Sequence, residues 1–262
     1  MPKEALRVSH VGITLNDRSS RMEVRLRAAL VDVVRRIGHM FGVAVESEDT
    51  LPLDTIVSHL NATFGPPNGL AFGKATANPR SSLKPDGDFL YVRDQSDVKR
   101  CILVTEVKRQ GTNTDRVAEG KPRQAQGNAI GRLRKNMQGV DAFFAGEAIT
   151  PFVCFGEGCD FADGVTILDR VSTMNGFFPL NVVHVDKIYV DKPAPEIFKP
   201  TSLFFREEPW SSQEMRDVIW RICQRSIAYY QDTYGPLRLA RAEPKIVSEG
   251  DHDFPIVASD GR

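Results

Sequence analysis

The chain has 262 residues, enough for one large domain or two small ones. Its apolar content of 41% and charged content of 26% are those of an ordinary soluble globular protein, and no apolar run approaches the roughly 18 to 20 residues that span a bilayer. The 34 basic and 34 acidic side chains cancel, which leaves nucleic-acid binding open, because a basic cleft can be balanced by an acidic exterior.

The N-terminal MPKEALRVSH lacks the apolar core of a signal peptide, so a cytoplasmic protein without a membrane partner is expected. Residues 1 to 18 read as irregular. Residues 19 to 41 form the first helix: Ser19 or Ser20 caps it, and Leu26, Leu30, Val33, Val34 and Ile37 recur at helical spacing. Arg21, Arg25, Arg27, Arg35 and Arg36 fall mostly on the other side, as a solvated face or one turned to DNA. A short helix is expected over Leu53 to Leu60. Residues 64 to 80, dense in Gly, Pro and Asn, read as loop.

Residues 88 to 93 (DFLYVR) and 101 to 107 (CILVTEV) are β-branched and aromatic, and predict the two strands of a hairpin. The polar, basic run from 109 to 126 predicts an extended arm. A helix is expected over 127 to 145, weakened by Gly131 and Gly139. Strands are expected at 150 to 155 and 180 to 190, with a proline-rich connection at 193 to 200. The last helix spans 211 to 231, where Ser211 or Ser212 followed by Glu214 resembles a capping signal. The chain beyond Pro236 is polar and aperiodic. The fold class is therefore α/β, a central mixed β-sheet flanked by helices. A single domain is expected over 1–262, with its core at about 80–190 and a polar tail at about 237–262. Cys101, Cys154, Cys159 and Cys223 form no CxxC pair; free thiols, buried or half-buried, are expected rather than a zinc site at Cys154 and Cys159.

The hairpin carries the chemistry. Asp86 sits at a Pro-Asp-Gly turn before the first strand. Glu106 and Lys108 lie two residues apart near the end of the second, so strand alternation puts them on one face. A hard cation such as Mg²⁺ takes oxygen ligands and needs only one or two carboxylates. Asp86 and Glu106 can supply these, with the Val107 carbonyl as a further ligand. Lys108 then serves to polarise water or stabilise charge on a phosphate oxygen. The same residues are also compatible with simple turn chemistry at Asp86 and a solvated Glu-x-Lys pair.

Ser81-Ser82-Leu83-Lys84-Pro85-Asp86-Gly87, Glu106-Val107-Lys108-Arg109-Gln110-Gly111 and Gly127-Asn128-Ala129-Ile130-Gly131-Arg132 together resemble the EcoRI-type restriction endonucleases (the EcoRI/MunI group) of the Pro-Asp...(Asp/Glu)-x-Lys nuclease superfamily. The resemblance covers roughly residues 80 to 170. It implies a type II restriction endonuclease, a homodimer that cuts both strands of a short palindrome with Mg²⁺, around an AATT-like core and with 5′ overhangs. It implies Asp86 and Glu106 as metal ligands and Lys108 as the catalytic lysine. Ser81, Ser82 and Lys84 would contact phosphates, while Asn128, Ala129 and Arg132 would meet the major groove. Asparagine suits adenine by bidentate pairing and arginine suits purine acceptors; Asn128 and Arg132, at i and i+4, share a helix face. Gln124 and Gln126 stand where outer bases are contacted. Leu168-Asp169-Arg170 also resembles a family segment, with Ile167 in place of an arginine; Arg170 is a DNA contact or an ion-pair partner of Asp169. A second departure is Gly131, where the family usually has a glutamate that orients the next arginine. Two other readings are another nuclease of the superfamily and a catalytically silent DNA-binding protein.

Overall fold

The longest of the described strands organises the molecule. β5 (Lys99–Arg109) is buried on both faces from Cys101 to Val107, as an apolar run placed centrally in a sheet should be. The computed structural model describes residues 15–65, 81–111, 113–122, 127–187 and 200–240. Among these, β1 (Glu46–Glu48), β4 (Phe89–Arg93), β5, β6 (Phe152–Glu157) and β7 (Ser202–Arg206) form one sheet in the order β1-β4-β5-β6-β7. β1, β4 and β5 run antiparallel; β5, β6 and β7 run parallel. A small antiparallel pair, β2 (Leu51–Pro52) with β3 (Ser82–Leu83), stands apart. The mixed α/β sheet expected from the sequence is the one found.

Alternation along the strands divides the core in two. Leu90, Val92, Leu103, Val107, Val153 and Phe155 face α1 (Leu15–Phe41) and α6 (Ser212–Tyr234). Phe89, Tyr91, Val104, Phe152 and Cys154 face α2 (Leu53–Phe64), α4 (Gly127–Phe143) and α5 (Thr166–Met174). On α1, Met22, Leu26, Ala29, Leu30, Val33 and Ile37 are buried at helical spacing. Its arginines do not behave alike: Arg35 pairs with Asp32, Arg36 stacks on Trp220, and Arg25 grips the buried Glu157 at 2.7 Å. No described helix is long and apolar enough to cross a membrane.

Three expectations need correction. Residues 180 to 187 are not a strand; those from 188 to 190 lie outside the described residues. Asn181 adopts a φ of 61°, which breaks an extended run, and its side chain brackets Phe205 at the sheet edge instead. The edge strand is β7, whose Ser202 to Phe205 are buried. The arm after Arg109 is not wholly extended, because α3 (Asn113–Ala118) forms there and Asn113 bonds Asp160 in a 3-10 turn, Cys159–Phe161. The tail does not begin at 237. Leu237 is buried and bridges Asp94, and Leu239 bridges Val43; residues 241–262 lie outside the described residues. The cysteines are free thiols, three buried and Cys159 half-buried, and no zinc-type cluster exists among the described residues.

The cap of α6 is the reciprocal one expected. Glu214 N donates to Ser211 Oγ and Ser211 N donates to the Glu214 carboxylate. Arg206, reaching from β7 at 2.8 Å, is the main cause that holds the Glu214 carboxyl down at about 2, with Ser211 adding to it. A carboxyl depressed in the folded state stabilises above its unfolded pKa and loses that contribution as pH falls through its folded one. Wild type should therefore exceed Glu214→Gln in urea stability at neutral pH, and the gap should close as pH falls from about 4.5 toward about 2. A gap independent of pH would contradict the assignment.

Candidate active site

The Pro-Asp-Gly turn is stitched to the strand beside it. Gly87 N donates to Thr105 O at 3.2 Å, and Asp88 N donates to Thr105 Oγ1 at 3.0 Å. A Cβ at Gly87 would stand 2.1 Å from Thr105 Oγ1 and 2.8 Å from the Leu26 side chain. Only glycine lets the turn approach β5 this closely. The approach places Asp86 N against Glu106 Oε2, to which it donates at 3.1 Å.

Alternation past Val104 sends the Glu106 and Lys108 side chains to the sheet face covered by α4. Glu106 is completely buried, whereas the Asp86 side chain is 43% exposed at the mouth of the site. The Lys108 ammonium is pressed against Asp86 Oδ2 and Glu106 Oε1. Its contact with Asp86 has hydrogen-bond geometry, and that with Glu106 Oε1 is a close ion contact. Burial raises the Glu106 carboxyl to about 7, with the Lys108 charge opposing and the Asp86 charge adding to the rise. Burial alone would lower the Lys108 pKa, but the two carboxylates outweigh it and raise it above the ordinary lysine value. A fully buried carboxylate with a second carboxylate beside it, at the floor of an open cleft, fits a further positive charge. Two hard oxygen donors suit Mg²⁺ or Mn²⁺ rather than a thiophilic metal.

Above this trio opens a cleft of about 950 Å³. Ser81, Ser82 and Lys84 line it from the β3 side, Val107, Arg109 and Gln110 from the end of β5, and Met22 and Glu23 from α1. Helix α4 contributes Arg132, Lys135 and Asn136. Cationic lining residues (Lys84, Lys108, Arg109, Arg132, Lys135) outnumber the anionic ones (Glu23, Asp86, Glu106), so the cleft is basic in a chain of zero formal charge. Among the described residues, Lys84 has only an exposed 3.6 Å pairing with Asp49, a contact worth little.

The structure thus brings Asp86, Glu106, Lys108, Ser81, Ser82, Lys84 and Arg132 into one cleft. Asn128 and Ala129 lie on the first turn of α4, which begins at Gly127 as expected. Gln124 and Gln126 lie outside the described residues. Arg170 is exposed on α5, is not among the residues lining the cleft, and is not ion-paired with Asp169 among the described residues. Sequence reasoning missed Lys135, Gln110, Glu23 and Asn136. Asn136 had a signal, since it continues the i, i+4 series of Asn128 and Arg132. It donates Nδ2–H to Glu106 Oε2 at 3.1 Å.

A mixed sheet clad by helices, with this cleft at the outgoing ends of its parallel strands, is the fold of restriction-endonuclease-like nucleases. The family model described as restriction endonuclease EcoRI matches residues 15–166, and the chain belongs to that family. It is 27% identical over 189 residues to the type II restriction enzyme RsrI of Cereibacter sphaeroides, across 61% of this chain and 68% of that one. It is 27% identical over 178 residues to the type II restriction enzyme EcoRI of Escherichia coli, across 56% of this chain and 64% of that one.

The packing at Gly87 gives a direct test. Gly87→Ala should destabilise by about 1–3 kcal/mol through overpacking. Gly131→Ala, where nothing lies within 4 Å of the added Cβ, should instead stabilise by roughly 0.5–1 kcal/mol. Chemical denaturation reads both; shifts of the same sign would contradict the geometry.

Proposed function

We propose that this protein is a type II restriction endonuclease that makes Mg²⁺-dependent double-strand cuts in a short palindromic DNA site. The observation that carries this is the Lys108 ammonium lodged between the Asp86 and Glu106 carboxylates at the floor of a basic cleft. Asp86 and Glu106 would hold the cation. When bound, it supplies Lewis-acid polarisation of the phosphate and neutralises charge developing there. Lys108, fixed by both carboxylates, is placed to stabilise charge on a phosphate oxygen or to orient the attacking water. Ser81, Ser82 and Lys84 on the opposite wall offer hydroxyls and an ammonium to the sugar-phosphate backbone, which position a duplex without reading its sequence.

Specificity falls to α4 and the residues before it. Asn128 and Arg132 would be the base readers and Ala129 a further major-groove contact, while Gln124 and Gln126, outside the described residues, would serve the outer base pair. Arg170 takes a peripheral DNA contact. Gly131 has no side chain to partner Arg132, so recognition of an AATT-like core would be relaxed, altered or rescued by a different residue. A palindromic target with 5′ overhangs requires a two-fold dimer acting as one nuclease unit per chain.

Digestion of plasmid DNA with Mg²⁺, followed by sequencing of the ends, tests the reading. Discrete fragments with a common palindromic end are expected. A smear would indicate a general nuclease, and retained binding without cleavage a silent binder. Glu106→Gln or Lys108→Ala should abolish cleavage and spare binding; cleavage by either would remove the proposed site. Asn128→Ala should weaken specific binding by about 1–3 kcal/mol without matching loss on random DNA.

A further inference from the structure

Glu106 is held from three directions, and one of them is the recognition helix. Its Oε2 accepts from Asp86 N and from Asn136 Nδ2, both at 3.1 Å, and its Oε1 meets Lys108. The amide of Asn136 can face a carboxylate in only one way, with its nitrogen inward, because the carboxylate only accepts. Asn136 is half-buried, one turn after Arg132 on the same cleft-lining face of α4. On its other face, Ile130, Leu133, Met137 and Val140 are buried against the sheet. At Gly139 the helix lies so close to Leu83 that an added Cβ would be 3.1 Å from its side chain. The helix is therefore a stiff body whose seating sets the Asn136–Glu106 distance. A hydrogen bond at 3.1 Å is lost within roughly half an ångström of outward movement.

We infer that Asn136 is a positioning residue: by donating from α4 to Glu106, it fixes the carboxylate for the divalent cation and makes cation affinity depend on how the recognition helix is seated. The inference rests on the reading of Glu106 as a cation ligand. Together with Asp86 N, the bond occupies Oε2, which leaves Oε1 as the oxygen turned toward Lys108. Arg132 would share the consequence, since nucleic acid that engages it acts on the same rigid helix one turn from Asn136.

The test is Mn²⁺ binding to the intact protein, followed by electron paramagnetic resonance of the free ion, with no DNA present. Wild type should bind Mn²⁺ and Glu106→Gln should not. Asn136→Leu, which keeps the volume and removes the donor, should weaken binding about 10-fold or more, the usual effect of removing a ligand's hydrogen-bond partner. Asn136→Ala, compatible with any helical position, should do the same, and Asn136→Gln, which keeps a donor, should recover much of the affinity. Thermal midpoints of the Leu and Gln variants should agree, separating positioning from folding. Wild-type affinity in both Asn136→Leu and Asn136→Ala, with binding lost in Glu106→Gln, would overturn this inference alone. Equal binding by wild type and Glu106→Gln would overturn the ligand reading of Glu106, and this inference with it.

Discussion

The arrangement depends on one carboxylate without solvent. Glu106 lies buried near the end of β5, where an ion costs several kcal/mol even after relaxation and where removing one partner of a buried pair typically costs about 3–5 kcal/mol. Three donors offset that burial, and each comes from a different part of the chain: the Pro-Asp-Gly turn, the strand's own lysine and helix α4. Meeting those demands explains local details with no other cause. Gly87 must lack a side chain so that the turn reaches Thr105, and Gly139 must be small so that α4 settles on Leu83. The offset is incomplete, since the carboxyl remains raised to about 7 by burial. On the proposed reading, a bound cation would supply the missing positive charge.

On the proposed reading, cutting and base readout sit on different elements, joined through helix α4. β5 and its turn carry the charged trio on the sheet, a rigid support for a site that tolerates little error in position. Helix α4 crosses from β5 to β6, the connection that a parallel pair requires, and so it must cover the face onto which Glu106 and Lys108 project. Arg132 on it lines the cleft, and one turn further on Asn136 donates to Glu106. The topology that makes β5 and β6 parallel thereby brings the proposed base readers and the proposed metal ligand onto one element.

Much of this was legible because the physics is local. The two hairpin strands, α4, α6 with its cap, and the shared face of Glu106 and Lys108 follow from period, turn residues and alternation. What failed needed tertiary information. Residues 180 to 187 have strand-like composition, but Asn181 caps the sheet edge, and β7 takes the place in the sheet from a short stretch after a proline-rich connection. Leu237 and Leu239 are isolated apolar residues in a polar tail, and only their bridges to Asp94 and Val43 reveal them as part of the body. Asn136 was readable as the next step of the Asn128–Arg132 face, but its partner lies on another element that sequence spacing does not locate. Arg25, one arginine in a basic helix, turned out to be tied to the buried Glu157 rather than to solvent or DNA.

The family membership rests on residues 15–166, a span that includes the charged trio and the start of α4, and leaves Arg170 just outside. If Asp86 and Glu106 form a cation site floored by Lys108, anomalous diffraction from crystals soaked in Mn²⁺ shows it most directly. A peak between the Asp86 and Glu106 carboxylates is expected. A peak only at the separate acidic cavity of Glu48, Asp49 and Asp88, with none beside Glu106, would contradict it.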